Sequence, residues 1–306
     1  MNTPDFDAAA AFVAASARVL DRRRFQRLFE DGPASAVRDA VAAYRNEDGG
    51  FGYALEPDCR APGSQPAATE MALRILNEAD AWDEDLVRGA CGWLARIAPA
   101  EGGAAFVLSG PRALEGWPHA PWWVPEEGNP ASLVATGLIA GTLHARGFSH
   151  PWLDGATDVM WDRIGKIGPD MPAGIAGGYE MFGILAFLQH VPDRDRAREA
   201  FGRVGPLILD RQMVALDPEA PGEVHGVLSF APEPDSLARA LFDDATVTAH
   251  LDHLARGQRD DGGWTFNWPA WSPDAERDWR GFLTVDNLRL LRANGRLAQE
   301  SRRAQP

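Results

Sequence analysis

Apolar residues recur through most of the chain with the period of an α-helix. Val37, Ala40, Val41 and Tyr44 fall at i, i+3, i+4 and i+7, one face of a helix that begins near Ala34 and that Gly49-Gly50 ends. A second helix is expected from Ala68 to about Glu78, with Ala72, Leu73 and Leu76 turned inward, so the pair forms a helical hairpin. The plan then repeats. Leu86, Ala90, Leu94 and Ile97 mark a helix from about Asp83, followed by Gly102-Gly103, a long loop and a helix from about Pro130 to Arg146. A third unit runs from about His150 past Gly177-Gly178-Tyr179 to about His190. A fourth begins near Asp193 and passes into the Pro-rich stretch Leu216 to Pro234. The last starts at Asp243, reaches Gly262-Gly263-Trp264 and closes with a helix from about Phe282 to Asn294.

All four Gly-Gly pairs are expected at helix ends, between a helix and a loop. No stretch reads as a strand. Amphipathic hairpins of this kind cannot bury an apolar stripe alone and must pack side by side. The expected fold is all-α: an α/α toroid, a closed ring of about five to six hairpins with inner and outer helices. It spans 1–306 as one domain, in which the N-terminal helices, 1–33, close or cap the ring.

Two loops exceed the roughly 2 to 8 residues of ordinary helix connections: about 25 residues after Gly103 and about 18 after Gly263. Of the 11 tryptophans, seven fall in these two loops: Trp117, Trp122, Trp123, Trp264, Trp268, Trp271 and Trp279. Loops at equivalent places in a ring gather at one end. An aromatic-lined mouth is the expectation.

Composition narrows the partners. A formal charge of -14 argues against nucleic acid and anionic lipid, which need a basic face. Cys59 and Cys91 are too few for a disulfide framework and point to a reducing, cytoplasmic setting. The apolar start, Ala8 to Leu20, follows Asp5 and Asp7 and contains Arg18, so it reads as a helix of a soluble protein rather than a signal peptide or membrane span. Oligomeric state is not legible.

The chemistry concentrates between Gly49 and Leu73. Pro57 pushes Glu56 toward an extended conformation, and in an extended run Glu56, Asp58 and Arg60 share a face. The two carboxylates then sit about 6 to 7 Å apart. If buried, one is neutral near pH 7 while Arg60 keeps the other charged, the division that acid–base catalysis needs. The competing reading is a solvated loop with a surface ion pair. Gln65 and Glu70 stand at the start of the next helix, Glu70 either as a dipole complement or as a ligand. The segment from Glu115 to Trp123 sets an acid, His119 and three indoles within nine residues, suited to line a ligand or to plug a loop. Asp286 is expected where the last helix begins, as an N-terminal charge or a mouth residue. Asp243-Asp244 opens a helix, where acids cap.

Leu254-Ala-Arg-Gly-Gln-Arg-Asp-Asp-Gly-Gly-Trp264 resembles the repeat of the squalene-hopene cyclase and prenyltransferase superfamily, in which a helix ends in Gln and Gly-Gly-Trp follows. Tyr44 to Phe51, ending Asp-Gly-Gly-Phe, is similar. The resemblance covers about Ala34 to Gly295 and implies the same α/α toroid. It does not carry the family's chemistry across: the acid motif Asp-x-Asp-Asp-Thr-Ala of class II terpene cyclases falls on Gly63, Ser64, Gln65, Pro66 and Ala67. The zinc pattern of protein prenyltransferases, Asp-x-Cys with a distant His, is not matched by the adjacent Asp58-Cys59.

The functional expectation is a terpene cyclase- or prenyltransferase-like enzyme working by acid–base chemistry on an isoprenoid or other apolar small molecule. Glu56 or Asp58 donates the proton and Arg60 is the electrostatic partner. Gln65, Glu70, His119, Trp122, Trp123, Trp264, Trp268 and Asp286 bind substrate. No metal or other cofactor is expected, Mg²⁺ entering only with a diphosphate substrate. The alternatives are a carbohydrate-active enzyme, since paired carboxylates with tryptophan platforms suit a glycosidic bond, and a non-catalytic ligand-binding toroid.

Overall fold

Helices with an apolar side need partners, and here they find them with one another. A computed structural model describes residues 3–297: α1 (Phe6–Ser16), α2 (Val19–Phe29), α3 (Ala34–Ala42), α4 (Pro66–Glu78), α5 (Glu84–Ile97), α6 (Leu133–Ala145), α7 (Pro151–Lys166), α8 (Gly174–His190), α9 (Arg194–Val204), the short α10 (Leu207–Asp210) and α11 (Val227–Phe230), a 3-10 turn (Leu237–Leu241), α12 (Asp244–Arg256) and α13 (Pro273–Ala293). Among the described residues there is no strand, only isolated bridges. The all-α expectation therefore holds. No described helix is long and apolar enough to cross a membrane.

Polar side chains start most of the long helices. Asp83, Ser132, Asp193, Asp243 and Ser272 each accept a backbone N–H from the first turn, which otherwise has no partner. Asp243 is thus a cap, accepting from the Thr246 N–H at 2.7 Å.

Three boundaries differ from the sequence expectation. The apolar start is two helices, broken at Ala17 and Arg18, where the Arg18 side chain turns to bond Asp21 and the carbonyls of Ala54 and Leu55. The last helix begins at Pro273, not near Phe282, because Ser272-Pro273-Asp274 supplies a cap and a proline-started first turn ahead of the apolar stripe. Gly177-Gly178 lies inside α8 instead of ending a helix. There a Cβ at Gly178 would strike the His225 ring and one at Gly177 the Pro172 carbonyl, so the glycines serve close approach.

The repeat is visible in hydrogen bonds. After α3, α5 and α12, the N–H of Phe51, Ala104 and Trp264 bonds the hydroxyl of Thr69, Thr136 and Thr284 on the helix that follows. All three threonines are fully buried. The carbonyl of the same loop residue accepts from the position four before the threonine: the backbone N–H of Gln65 and Ser132, and the side chain of Arg280. In each unit the glycine two residues before the clamped one has positive φ and faces a further helix. A Cβ at Gly49 would lie 2.5 Å from the Gly89 carbonyl of α5, and one at Gly102 3.3 Å from the Gly155 carbonyl of α7. At Gly262 it would overlap the Ala8 carbonyl of α1.

Removing one clamp strands a buried donor. Thr284→Val is expected to lower unfolding free energy by about 1–3 kcal/mol, because the Trp264 N–H loses its acceptor inside the core. Urea denaturation followed by circular dichroism reads it.

The main apolar core joins these helices. It includes Leu20, Val41, Phe51, Leu73, Leu94, Ile139, Phe187, Leu251, Trp264 and Val285. α2, α4, α6 and α8 succeed one another by contact, α13 touches α2, and α1 packs on α13. α6 and α8 approach backbone to backbone, since Gly137 and Gly183 leave no room for a side chain between them.

Candidate functional site

The loop between α3 and α4 pairs briefly with the long loop between α5 and α6. The Arg60 N–H bonds the Pro118 carbonyl at 2.9 Å and the Ala120 N–H bonds the Asp58 carbonyl at 2.8 Å, with Cys59 and His119 in antiparallel register. This pairing fixes Asp58 against the tryptophan loop. Asp58 is 5% exposed, and its carboxylate accepts three indole N–H groups. Trp279 and Trp271 donate to Oδ1 at 2.8 and 3.1 Å, and Trp122 to Oδ2 at 3.0 Å. Trp122 comes from the long loop, Trp271 from the segment before α13, and Trp279 from α13 itself. One carboxylate thus ties three distant stretches of chain.

Burial raises the Asp58 pKa, against the opposing pull of the indoles of Trp279, Trp122 and Trp271 and of Arg60. Glu56 is shifted further. Burial first and the neighbouring Asp58 second hold its carboxyl well above the usual carboxylate range, and its bond from the Asp58 N–H, Arg18 and Arg60 offset this only in part. The two acids are neighbours, but not along the extended run that their spacing suggests: residues 56–59 form a turn, in which the Cys59 N–H bonds the Glu56 carbonyl and the Glu56 carboxylate accepts the Asp58 N–H, and Glu56 is the one that favours its proton. They are held on a strained turn: Tyr53 and Ala54 have φ of 54° and 58°, left-handed values that side chains disfavour. Arg18 braces this turn through the Ala54 and Leu55 carbonyls.

Arg60 does not pair with Asp58 or Glu56. Its Nη1 lies 2.7 Å from Asp278 of α13, the residue next to Trp279. Asp58→Asn is expected to destabilise the fold, because an amide offers acceptors on one atom only and leaves at least one indole N–H bare, at about 1–3 kcal/mol for each such donor. Intrinsic tryptophan fluorescence and urea midpoints together report it.

The remaining expected site residues separate. Trp122 belongs to the Asp58 centre and is 45% exposed. Trp268 stands beside it, stacked on Phe266 with centroids 4.4 Å apart and edge-on to Trp279 at 5.6 Å. Trp123 is buried in a small second core with Cys59, Val107 and Leu114. Trp264 is in the main core, where its indole caps the Leu254 carbonyl, so it walls no cavity. Gln65 is also structural: its amide donates to the Leu108 and Ala113 carbonyls and accepts from the Leu108 N–H, pinning the long loop. His119 bonds the Trp117 carbonyl through Nδ1. Neither thiol is a nucleophile as it stands: burial pushes Cys59 up to about 11 and Cys91 up to about 12. Among the described residues no group of three or more His, Cys, Asp or Glu side chains is arranged to hold a metal ion.

Glu70 and Asp286 join an ion network instead of a mouth. Asp286 lies midway along α13, not where it begins. Arg24 of α2, fully buried, reaches Asp21 at 3.2 Å, Glu78 at 2.9 Å and Asp286 at 2.5 Å. Arg74 bonds Glu70 at 3.1 Å and lies 3.5 Å from Asp286. Both guanidiniums lie over the Phe282 ring, at 4.2 and 5.1 Å. Burial raises the Glu70 pKa, with Arg74 opposing. Burial acts the same way on Asp286, but Arg24, Arg74 and Arg289 outweigh it and hold this carboxyl below its ordinary value.

Sequence reasoning missed Trp271 and Trp279 as partners of Asp58, and Arg24 and Asp278 altogether. A signal existed for Arg24: it follows Leu20 by four and precedes Leu28 by four, a charge on the apolar stripe.

The crevice bordered by Gly52, Glu56, Cys59, Gln65 and Trp123 is too narrow for a water molecule. An open groove of about 460 Å³, lined by Arg45, Asp48, Arg88 and Arg96 among others, contains none of the expected site residues.

No family model matches the chain, and no curated protein does. Among solved structures it is similar to a crystal structure of a protein from Actinoplanes, at 18% identity and a TM-score of 0.54, over 94% of this chain and 89% of that one. At that identity the likeness extends to the fold alone.

Proposed function

We propose that the chain is a closed α/α toroid and an enzyme of the terpene cyclase and prenyltransferase-like kind, acting by acid–base chemistry on an isoprenoid or similarly apolar substrate. The ring is supported by the order of glycine contacts: the turn after α3 meets α5, that after α5 meets α7, and that after α12 meets α1. Each turn rests on the first helix of the next unit, with the last unit resting on the first.

The chemistry is carried by one observation, the indole-held Asp58 beside a Glu56 whose carboxyl is held well above the usual carboxylate range. Glu56 is the proton donor and Asp58 the fixed negative charge that raises its basicity. The indoles spend their N–H groups on Asp58, which leaves their π faces for apolar or cationic groups. Trp268 and Phe266 extend that aromatic surface.

The test is mass spectrometry of small molecules released from the purified protein, with parallel assays on prenyl diphosphates, squalene and oligosaccharides. Isoprenoid turnover, or a co-purified apolar ligand, supports the reading. Cleavage of an oligosaccharide that depends on both Glu56 and Asp58 replaces it with the glycosidase alternative.

A further inference from the structure

Two guanidiniums near Glu56 have donors with nothing to bond. Arg60 uses Nη1 on Asp278, while its Nε and Nη2 are buried and have no partner. Arg18 uses Nε on Asp21 and Nη1 on the Ala54 and Leu55 carbonyls, and its Nη2 is likewise buried and unpartnered. Its side chain is only 10% exposed. Arg24 and Arg289 also leave one buried donor without a partner, but in each it is Nε, whereas Arg18 and Arg60 leave a terminal Nη2.

The two arginines belong to one locality: Arg18 bonds the Ala54 and Leu55 carbonyls just before Glu56, and Arg60 follows Glu56 by four residues in the same loop. In keeping with this, the charges of both oppose the effect of burial on Glu56 and on Tyr44. Among the described residues no ion pair within 4.0 Å joins either guanidinium to Glu56. The donors are therefore held beside Glu56 without being used by it.

We infer that Arg18 and Arg60 form a binding site for an oxyanion, a carboxylate or phosphate group, next to Glu56. Three N–H-bearing atoms from two planar forks match an oxyanion with several acceptor oxygens better than a lone neutral group. The site is preorganised, since Asp21, Asp278 and the backbone carbonyls hold both guanidiniums in place. It gives the substrate of the proposed enzyme a polar end: an apolar body against the indoles and an anionic head at the arginines. The inference rests on the proposed function only for that last step, because the anion site stands on the unpaired donors alone.

Isothermal titration calorimetry of the full chain with sodium phosphate, and separately with sodium acetate, tests it at ionic strength fixed with chloride. Saturable binding of one equivalent is expected, with a Kd on the order of 1 mM. Phosphate binding without acetate binding assigns a phosphate head; the reverse assigns a carboxylate. Arg60→Gln and Arg18→Gln are each expected to weaken binding at least about tenfold, whereas Arg198→Gln, an exposed arginine on α9, leaves it unchanged. Arg60→Lys keeps the charge but loses the fork, and should bind weakly too. Mapping of phenylglyoxal modification by mass spectrometry needs no variant: phosphate or acetate should protect Arg18 and Arg60 selectively. No saturable heat with either anion, or equal binding by both glutamine variants, or absence of protection overturns the site. Because none of these readouts requires turnover, their failure leaves the role of Glu56 to be judged separately, by Glu56→Gln.

Discussion

Glu56→Gln lowers turnover of the substrate by about 10²–10⁴-fold, the usual worth of a positioned general acid. Glutamine keeps the carbonyl that accepts the Asp58 N–H, a bond of 2.8 Å, so the loop should keep its shape. It removes the ionisable carboxyl whose pKa burial and Asp58 raise. The wild type should lose activity as pH rises through the elevated pKa of Glu56, because the acid form is the working one. Stability gives a second readout that needs no substrate. A folded pKa raised above the unfolded value contributes stability that is complete below about pH 4.3 and is lost as pH rises through the folded pKa. Glu56→Gln cannot ionise, so its urea midpoint should match the wild type in acid and exceed it above the raised pKa. Turnover untouched by the substitution removes Glu56 from the mechanism.

Arg24→Met costs about 3–5 kcal/mol of unfolding free energy, the range for breaking a buried ion network by removing one partner. Methionine fills much of the volume and keeps contact with Phe282, so the loss is chiefly electrostatic. Asp21 then keeps only Arg18, and Glu78 and Asp286 are left in the interior with Arg74 and Arg289 to serve them. The effect has a definite pH course. Asp286 has a folded pKa depressed in the wild type, so its contribution is present above the ordinary carboxylate range and fades as pH falls through the folded value. The gap between wild type and variant should therefore narrow in acid. A constant gap across pH would assign the loss to packing instead. Arg24→Lys should recover part of it, since one ammonium cannot reach three carboxylates as the fork does.

The helices and their repeat were legible because periodicity and glycine placement are local. Leu86, Ala90 and Leu94 mark α5 within a residue of its observed start, and Gly49 and Gly262 stand at equivalent turns. The nearness of Glu56 to Asp58 was legible for the same reason, since the two are only two residues apart, although a turn and not an extended run brings them together. What closed around it was not. Trp271 and Trp279 lie 213 and 221 positions from Asp58, and no window of sequence contains such a contact. The expected roles of Gln65 and Trp264 failed on a related point: each looks like a ligand in isolation and is consumed by a backbone carbonyl in the fold. Asp286 was misplaced because the start of α13 is polar, so the apolar stripe begins a full two turns late.

The contact between the Gly262 turn and Ala8 sets an order on biosynthesis. Ala9, Phe12 and Val13 of α1 are buried in the finished protein, and α1 meets α13 there. On the ribosome the partner that covers them is made about 250 residues later, on the order of 10–50 s at ordinary elongation rates. Through that interval the first helix carries a bare apolar face, a natural substrate for a holding chaperone. The chain cannot complete its fold vectorially from the N-terminus, and its last unit, not its first, ends the period of exposure.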